Sequence, residues 1–151
     1  MKFKKESKEV LYNTSRFLLM DKKKYEYLER LAKKNKKKVV RLCVHKSKKD
    51  LIHQMLIIHP KNYYVPPHMH NREESMLILK GSVDVVVFDR LKKIKKIIKM
   101  GDLNSGKTFY YNLPKKTLHT LIIKSNFLFF LEITRGPFKK KNMQKFKINK
   151  F

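Results

Sequence analysis

Two histidines two residues apart, followed four residues later by a glutamate, stand in the stretch NYYVPPHMHNREESMLILKG at 62–81: His68, His70 and Glu74. On extended backbone the side chains at i and i+2 share a face, so both imidazoles point into one space. Residues 75–80 continue as an apolar strand to a turn at Gly81. If Glu74 faces the same side, Met76 and Ile78 follow it inward by alternation. Two imidazoles and a carboxylate on one side of a paired strand suit Fe(II), Mn(II), Ni(II) or Zn(II). Burying them against apolar strands without such a partner would be costly. Downstream, LPKKTLHTLII sets His119 just inside a strand entered by a proline turn, with Leu121 and Ile123 on its face. Alone, His119 reads as a hydrogen-bonded core residue. Beside the earlier triplet, two strands and a loop away, it becomes the candidate fourth ligand.

Other residues could face the same pocket. Arg41, Cys43 and His45 alternate on one strand face. Arg41 with His45 could hold an anionic group such as a sugar phosphate. The alternative is a surface ion pair for Arg41 and a satisfied edge position for His45. On the strand before the motif, parity sets His53 and His59 opposite Gln54, so the three cannot all point inward. Gln54 is taken as the pocket candidate. Glu132, polar within an apolar run, faces either the pocket or a lysine, and Arg135–Gly136–Pro137 reads as a strand terminus. No G-x-S-x-G elbow is present, Gly106–Lys107–Thr108 lacks the Gly-rich turn of a phosphate loop, and no motif marks Cys43 as a nucleophile.

The elements that must carry these groups change character along the chain. Asp21 can cap a helix, and Tyr25, Leu28, Leu31 and Ala32 recur at helical spacing, which predicts a short amphipathic helix over about 21–34. Residues 10–12 and 17–19 are strand-like or docking segments. From Val39 onward the apolar period becomes two, predicting strands over 39–45, 51–59, 75–80, 82–89, 94–100, 109–113, 117–124 and 127–134. Turn residues separate most of them, and eight short strands at such spacing indicate a sandwich or barrel. Apolar residues on both parities, as in Val85–Val86–Val87, are expected where one face lines a barrel and the other packs a neighbouring sheet, strand or subunit.

Composition narrows the partners. With 151 residues, 42% of them hydrophobic, the chain suits one domain with its own core. One cysteine excludes an internal disulfide and a cysteine-rich zinc cluster. No apolar run approaches a membrane span of about 18 residues, and the Lys- and Glu-rich start shows no signal peptide, so a cytoplasmic location is expected without membrane insertion. The net charge of +26 invites a nucleic-acid reading, yet only 6 of the 38 basic residues are arginine, the residue that forks onto phosphate and guanine. The lysines lie in scattered runs, which fits a solvated surface and no specific nucleic acid.

The stretch from His68 resembles the first motif of the cupin superfamily, G-x5-H-x-H-x3-E-x6-G, with every spacing kept through Gly81 and Asn62 standing for the leading glycine. The second motif, G-x5-P-x-G-x2-H-x3-N, keeps Pro114 and His119, whereas Thr108, Lys116 and Ile123 occupy its other positions. The resemblance implies an all-β double-stranded β-helix, or jelly-roll barrel, with His68, His70, Glu74 and His119 holding one divalent metal ion: Fe, Mn, Ni or Zn. RLCVHKSKKDLIHQML, YYVPPHMHNREES, the FD after the first hairpin, LPKKTLHTL and LEITRGPF are together similar to the small WbuC-type cupins, named for a gene of bacterial O-antigen and capsule clusters. That likeness covers about residues 25–138. The change of period at Val39 and the basic end of the chain divide it into an N-terminal strand and helix extension over 1–38, a barrel over 39–138 and a basic tail over 139–151. The likeness implies a role on a saccharide or sugar nucleotide of surface polysaccharide, as a sugar isomerase or epimerase or similar enzyme, with a homodimer as the candidate assembly. An Fe(II)-dependent dioxygenase and a non-catalytic sugar-binding or sensor module stay open as alternatives, because ligand type sets metal preference and not the reaction.

Overall fold

Asp21 starts the helix α1 (Lys22–Lys34) from extended backbone, its carboxylate accepting the Lys24 backbone N–H at 2.8 Å. Lys33 and Lys34 occupy the last turn, where cations complement the helix dipole. Tyr25, Leu28 and Ala32 form its buried stripe. The computed structural model describes residues 1–139 and 142–148. Over 17–19 no strand forms: Leu18 docks against the helix side of the core, while Phe17 and Leu19 each remain 71% exposed.

Twelve strands make up the rest: β1 (Phe3–Lys5), β2 (Val10–Asn13), β3 (Val40–Cys43), β4 (Ile52–Pro60), β5 (His68–His70), β6 (Glu74–Lys80), β7 (Ser82–Phe88), β8 (Ile94–Gly101), β9 (Tyr110–Leu113), β10 (His119–Ile123), β11 (Phe127–Arg135) and β12 (Met143–Lys145). They form a seven-stranded sheet in the order β1-β2-β3-β4-β11-β6-β9 and a five-stranded sheet in the order β12-β5-β10-β7-β8. Every pairing within them is antiparallel except β2 with β3. The chain is therefore mostly β with one short helix, its sheets arranged as the jelly roll expected from the sequence. The first residues are continuous with the barrel, since β2 hydrogen-bonds along β3. Part of the basic tail is also continuous with it, since β12 pairs with β5 in the register Met143↔His70 and Lys145↔His68. Residues 140–141 and 149–151 of that tail lie outside the described residues.

Alternation along the large sheet builds two cores. Ile57, Met76, Ile78, Leu128 and Phe130 point inward and meet Val83, Val85 and Ile123 of the small sheet. Val40, Leu42, Leu56, Ile58 and Phe129 point the other way and bury Leu28 and Ala32 of α1. On β3, β4 and β11 the outward apolar parity thus has a helix as its partner. Gly81 joins β6 to β7 at φ +95°, and a side chain there would run into Ser125 Oγ and the Phe127 carbonyl. That turn fixes where β6, with Glu74 at its far end, enters the barrel.

Candidate metal centre

The inward face of the sheets turns polar at one end. His68 and His70 lie on β5, Glu74 opens β6, and His119 opens β10 directly opposite His68. One side-chain donor atom from each of His68, His70 and Glu74 lies within 4.8 Å of the other two. His70 Nε2 stands 3.0 Å from Glu74 Oε2, and His119 Nε2 stands 3.5 Å from Glu74 Oε1. Glu74 and His119 are 5% and 2% exposed, so both are withdrawn from bulk water. Tyr111, from the adjacent β9, donates its hydroxyl to Glu74 Oε1 at 2.6 Å.

Backbone carbonyls orient two of the rings. His68 Nδ1 donates to the Pro66 carbonyl at 2.8 Å, and His119 Nδ1 donates to the Thr117 carbonyl at 3.0 Å. That puts a proton on each Nδ1 and turns each Nε2 toward the cluster, the orientation that second-sphere partners impose on metal-binding imidazoles. Three imidazoles and a carboxylate, two of the rings so preset, fit a divalent ion of the Mn, Fe, Ni or Zn type. Four protein donors in an octahedral field would leave up to two positions for water or a ligand.

The electrostatics of the cluster follow from burial and mutual contact. Burial alone would raise the Glu74 carboxyl, yet His119 and His70 hold it well below its ordinary value. Burial lowers the His119 imidazole, but the contact with Glu74 more than offsets this and raises it. Burial, with His119 beside it, pushes His68 down to about 4. Burial and the Glu74 charge lift Tyr111 well above the usual phenol value, so it stays a donor.

Behind these four groups lies a cavity of about 180 Å³ whose wall includes Arg41, His59 and Glu132 besides the candidate ligands. Arg41 reaches it because Val40 and Leu42 take the helix side of β3. His45 does not reach it. Strand β3 ends at Cys43, so alternation stops before His45, whose ring instead bonds the Gln54 carbonyl through Nδ1 at 3.1 Å and stacks on His53 at 4.0 Å. Gln54 is likewise away from the cavity: it shares the parity of Leu56 and Ile58, which face the helix. The inward member of β4 is His59, in register with Leu128 of β11 and following inward-facing Ile57. Its ring lies 4.3 Å from Tyr63 and edge-on to Phe130. Sequence parity separated His59 from Gln54; the sign of that parity was legible from Ile57 and Phe130, had the two apolar faces been told apart. Glu132 follows Leu128 and Phe130 inward, which settles its side of the strand. Burial and the Glu74 charge, opposed by Arg41, raise its carboxyl to about 7. Met143 and Lys145 of β12 complete the wall, a contribution that no alternation pattern in the Lys-rich tail announces.

Comparison with solved structures finds proteins of the same fold. Protein SO0799 from Shewanella oneidensis is similar at a TM-score of 0.58 and 12% identity, over 69% of this chain and 71% of that one. The polyketide cyclase RemF from Streptomyces resistomycificus is similar at 0.52 and 17%, over 66% of this chain and 63% of that one. Oxalate decarboxylase from Bacillus subtilis is similar at 0.53 and 16%, over 64% of this chain, which spans 24% of that enzyme. At these identities the likeness is one of fold, and the fold is that of the cupins. No relative by sequence is found among curated proteins. The profile described as Domain of unknown function (DUF6016) matches residues 20–100, more than half of the sequence and including His68, His70 and Glu74, and the chain therefore belongs to that family.

Proposed function

We propose that this chain is a divalent-metal cupin acting on a single small saccharide unit, as a metal-assisted isomerase or epimerase of bacterial surface-polysaccharide synthesis. The observation that carries the reading is the convergence of His68, His70, Glu74 and His119 on the wall of a cavity of about 180 Å³. At roughly 30 Å³ per water, that space displaces about six waters, close to the volume of one hexose ring. The nucleotide of a sugar nucleotide would have to stay outside. The similarity of the motifs to WbuC-type cupins supports the saccharide and its setting.

Bound by those four side chains, the ion would polarise a substrate oxygen as a Lewis acid. The chain's own groups do the rest. Tyr111 holds Glu74 in place by its hydrogen bond. Glu132, facing the cavity with a carboxyl raised to about 7, is the group fitted to take a proton from carbon and return it near neutral pH. The apolar walls supplied by Met76, Leu121 and Phe130 exclude water around it.

The test is proton exchange. Protein purified without an affinity tag, with its metal content measured, is incubated in D₂O with a panel of monosaccharides and nucleotide sugars. At least one sugar is expected to acquire deuterium at carbon, and Glu132→Gln is expected to slow that exchange by roughly 10²-fold or more while bound metal is unchanged. Absence of exchange throughout the panel contradicts an isomerase or epimerase.

A further inference from the structure

We propose that the Arg41–His59 end of the cavity is a carboxylate subsite, so that the saccharide held there is an acidic one, of the hexuronate type. The proposal rests on the saccharide reading above and specifies its substrate class. Its basis is a set of buried polar atoms that the protein leaves without partners. Among the described residues, Arg41 Nε and both ring nitrogens of His59 are buried and make no hydrogen bond. His59 is 6% exposed and lines the cavity. Leaving such atoms unmatched costs free energy, and native structures almost always satisfy them. A ligand entering the cavity would supply the missing partners.

The chemistry of the pair selects the ligand. Arg41 is a permanent cation with a planar fork that matches a carboxylate. No ion pair forms to it among the described residues, although Glu132 lies on the same wall. The Arg41 charge does act on Glu132, but burial and the Glu74 charge outweigh it and raise that carboxyl, and the two side chains do not come into ion-pair contact. His59 sits beside Arg41, and burial together with that neighbour lowers its imidazole to about 3. A ring kept neutral offers one N–H donor and one acceptor nitrogen, which suits a carboxylate oxygen flanked by a hydroxyl. A dianionic phosphate would meet one cation and a neutral ring at this end and would be poorly matched. The four candidate metal ligands occupy the other end, so a sugar acid would place its hydroxyl or carbonyl oxygens there and its carboxylate at Arg41.

Binding to the protein as purified, with metal content recorded, tests this by calorimetric titration with D-glucuronate, D-glucose and a hexose phosphate. Glucuronate is expected to bind roughly tenfold or more tightly than glucose, as a charge-assisted pair of hydrogen bonds implies. In Arg41→Gln, glucuronate affinity is expected to fall to that of glucose, with glucose affinity and metal content unchanged. If that variant does not fold, Arg41→Met, which keeps the aliphatic stem, takes its place. Equal affinity for glucuronate and glucose, no measurable glucuronate binding, tighter binding of the phosphate, or a glucuronate preference that survives loss of Arg41 would each overturn the subsite. The two readings fail separately. Protein that binds metal and both sugars alike sinks the subsite and leaves the metal–saccharide reading. Protein that holds glucuronate through Arg41 but carries no metal keeps the subsite and sinks the metal.

Discussion

The two faces of the seven-stranded sheet are made by the same strands and differ in one respect. Toward α1, β3, β4 and β11 present Val40, Leu42, Leu56, Ile58 and Phe129, an apolar surface closed by Leu28 and Ala32. Toward the barrel interior the same strands begin alike, with Ile57, Leu128 and Phe130, and then turn to Arg41, His59 and Glu132. On the helix face these five side chains are buried by apolar packing against α1. On the inner face, among the described residues, buried polar atoms stand without protein partners, and Glu74 lies against the rings of His70 and His119. A protein under selection for stability alone would fill that end with Leu and Val. The contrast locates the candidate site by its cost: one face stabilises the fold, and the other gives up stability that a bound ion and ligand would restore.

The sharpest way to break the contrast is to damage the apolar face. Leu28 is fully buried on the inner stripe of α1 and does not line the cavity. Leu28→Ala should cost about 2–5 kcal/mol of unfolding free energy, by lost transfer energy and the cavity left behind. Metal stoichiometry should be unchanged, measured on the folded protein by elemental analysis. Loss of metal in that variant would show that the two faces are not separable.

A smaller effect sharpens the inner face through pH. Folded His59 has its imidazole near 3, against an ordinary value of 6.5. The stability it contributes is therefore complete above about 6.5 and is lost as pH falls from there toward 3. At about pH 5 the loss amounts to roughly 2 kcal/mol. Glu132 works in the opposite direction, since a carboxyl raised to about 7 favours the folded state at lower pH. The difference between wild type and His59→Phe isolates the histidine. The variant should lose less stability than wild type between about pH 7.5 and 5 in denaturant titrations, and equal losses would mean that His59 is not held neutral.

Much of the architecture was legible because period-two runs are long where strands are long. The strands predicted over 51–59 and 82–89, seen as β4 and β7, and the helix capped at Asp21 all rest on repeated side-chain choices that packing then uses. The three-residue strands β1 and β12 were not legible. In β12, MQK carries no alternation, and it is a strand because β5 offers it an edge. The ligand spacing from His68 to Glu74 could be read because it is local, whereas Arg41 and His59 come together through the β3–β4 register. Assigning His45 and Gln54 to the pocket failed for two physical reasons. A strand's alternation ends with its hydrogen bonds, and a sheet apolar on both faces hides which parity is inward.

The central claim, that His68, His70, Glu74 and His119 form one metal site, is tested most directly by metal stoichiometry in three histidine variants. Protein prepared without a tag and refolded or dialysed against each of Mn, Fe, Ni and Zn is measured by elemental analysis, with circular dichroism to confirm folding. Wild type and His59→Gln, which alters a buried cavity histidine outside the cluster, should each bind close to one ion. His68→Ala and His119→Ala should retain a small fraction of that. Unchanged stoichiometry in His68→Ala or His119→Ala, in folded protein, would contradict the account.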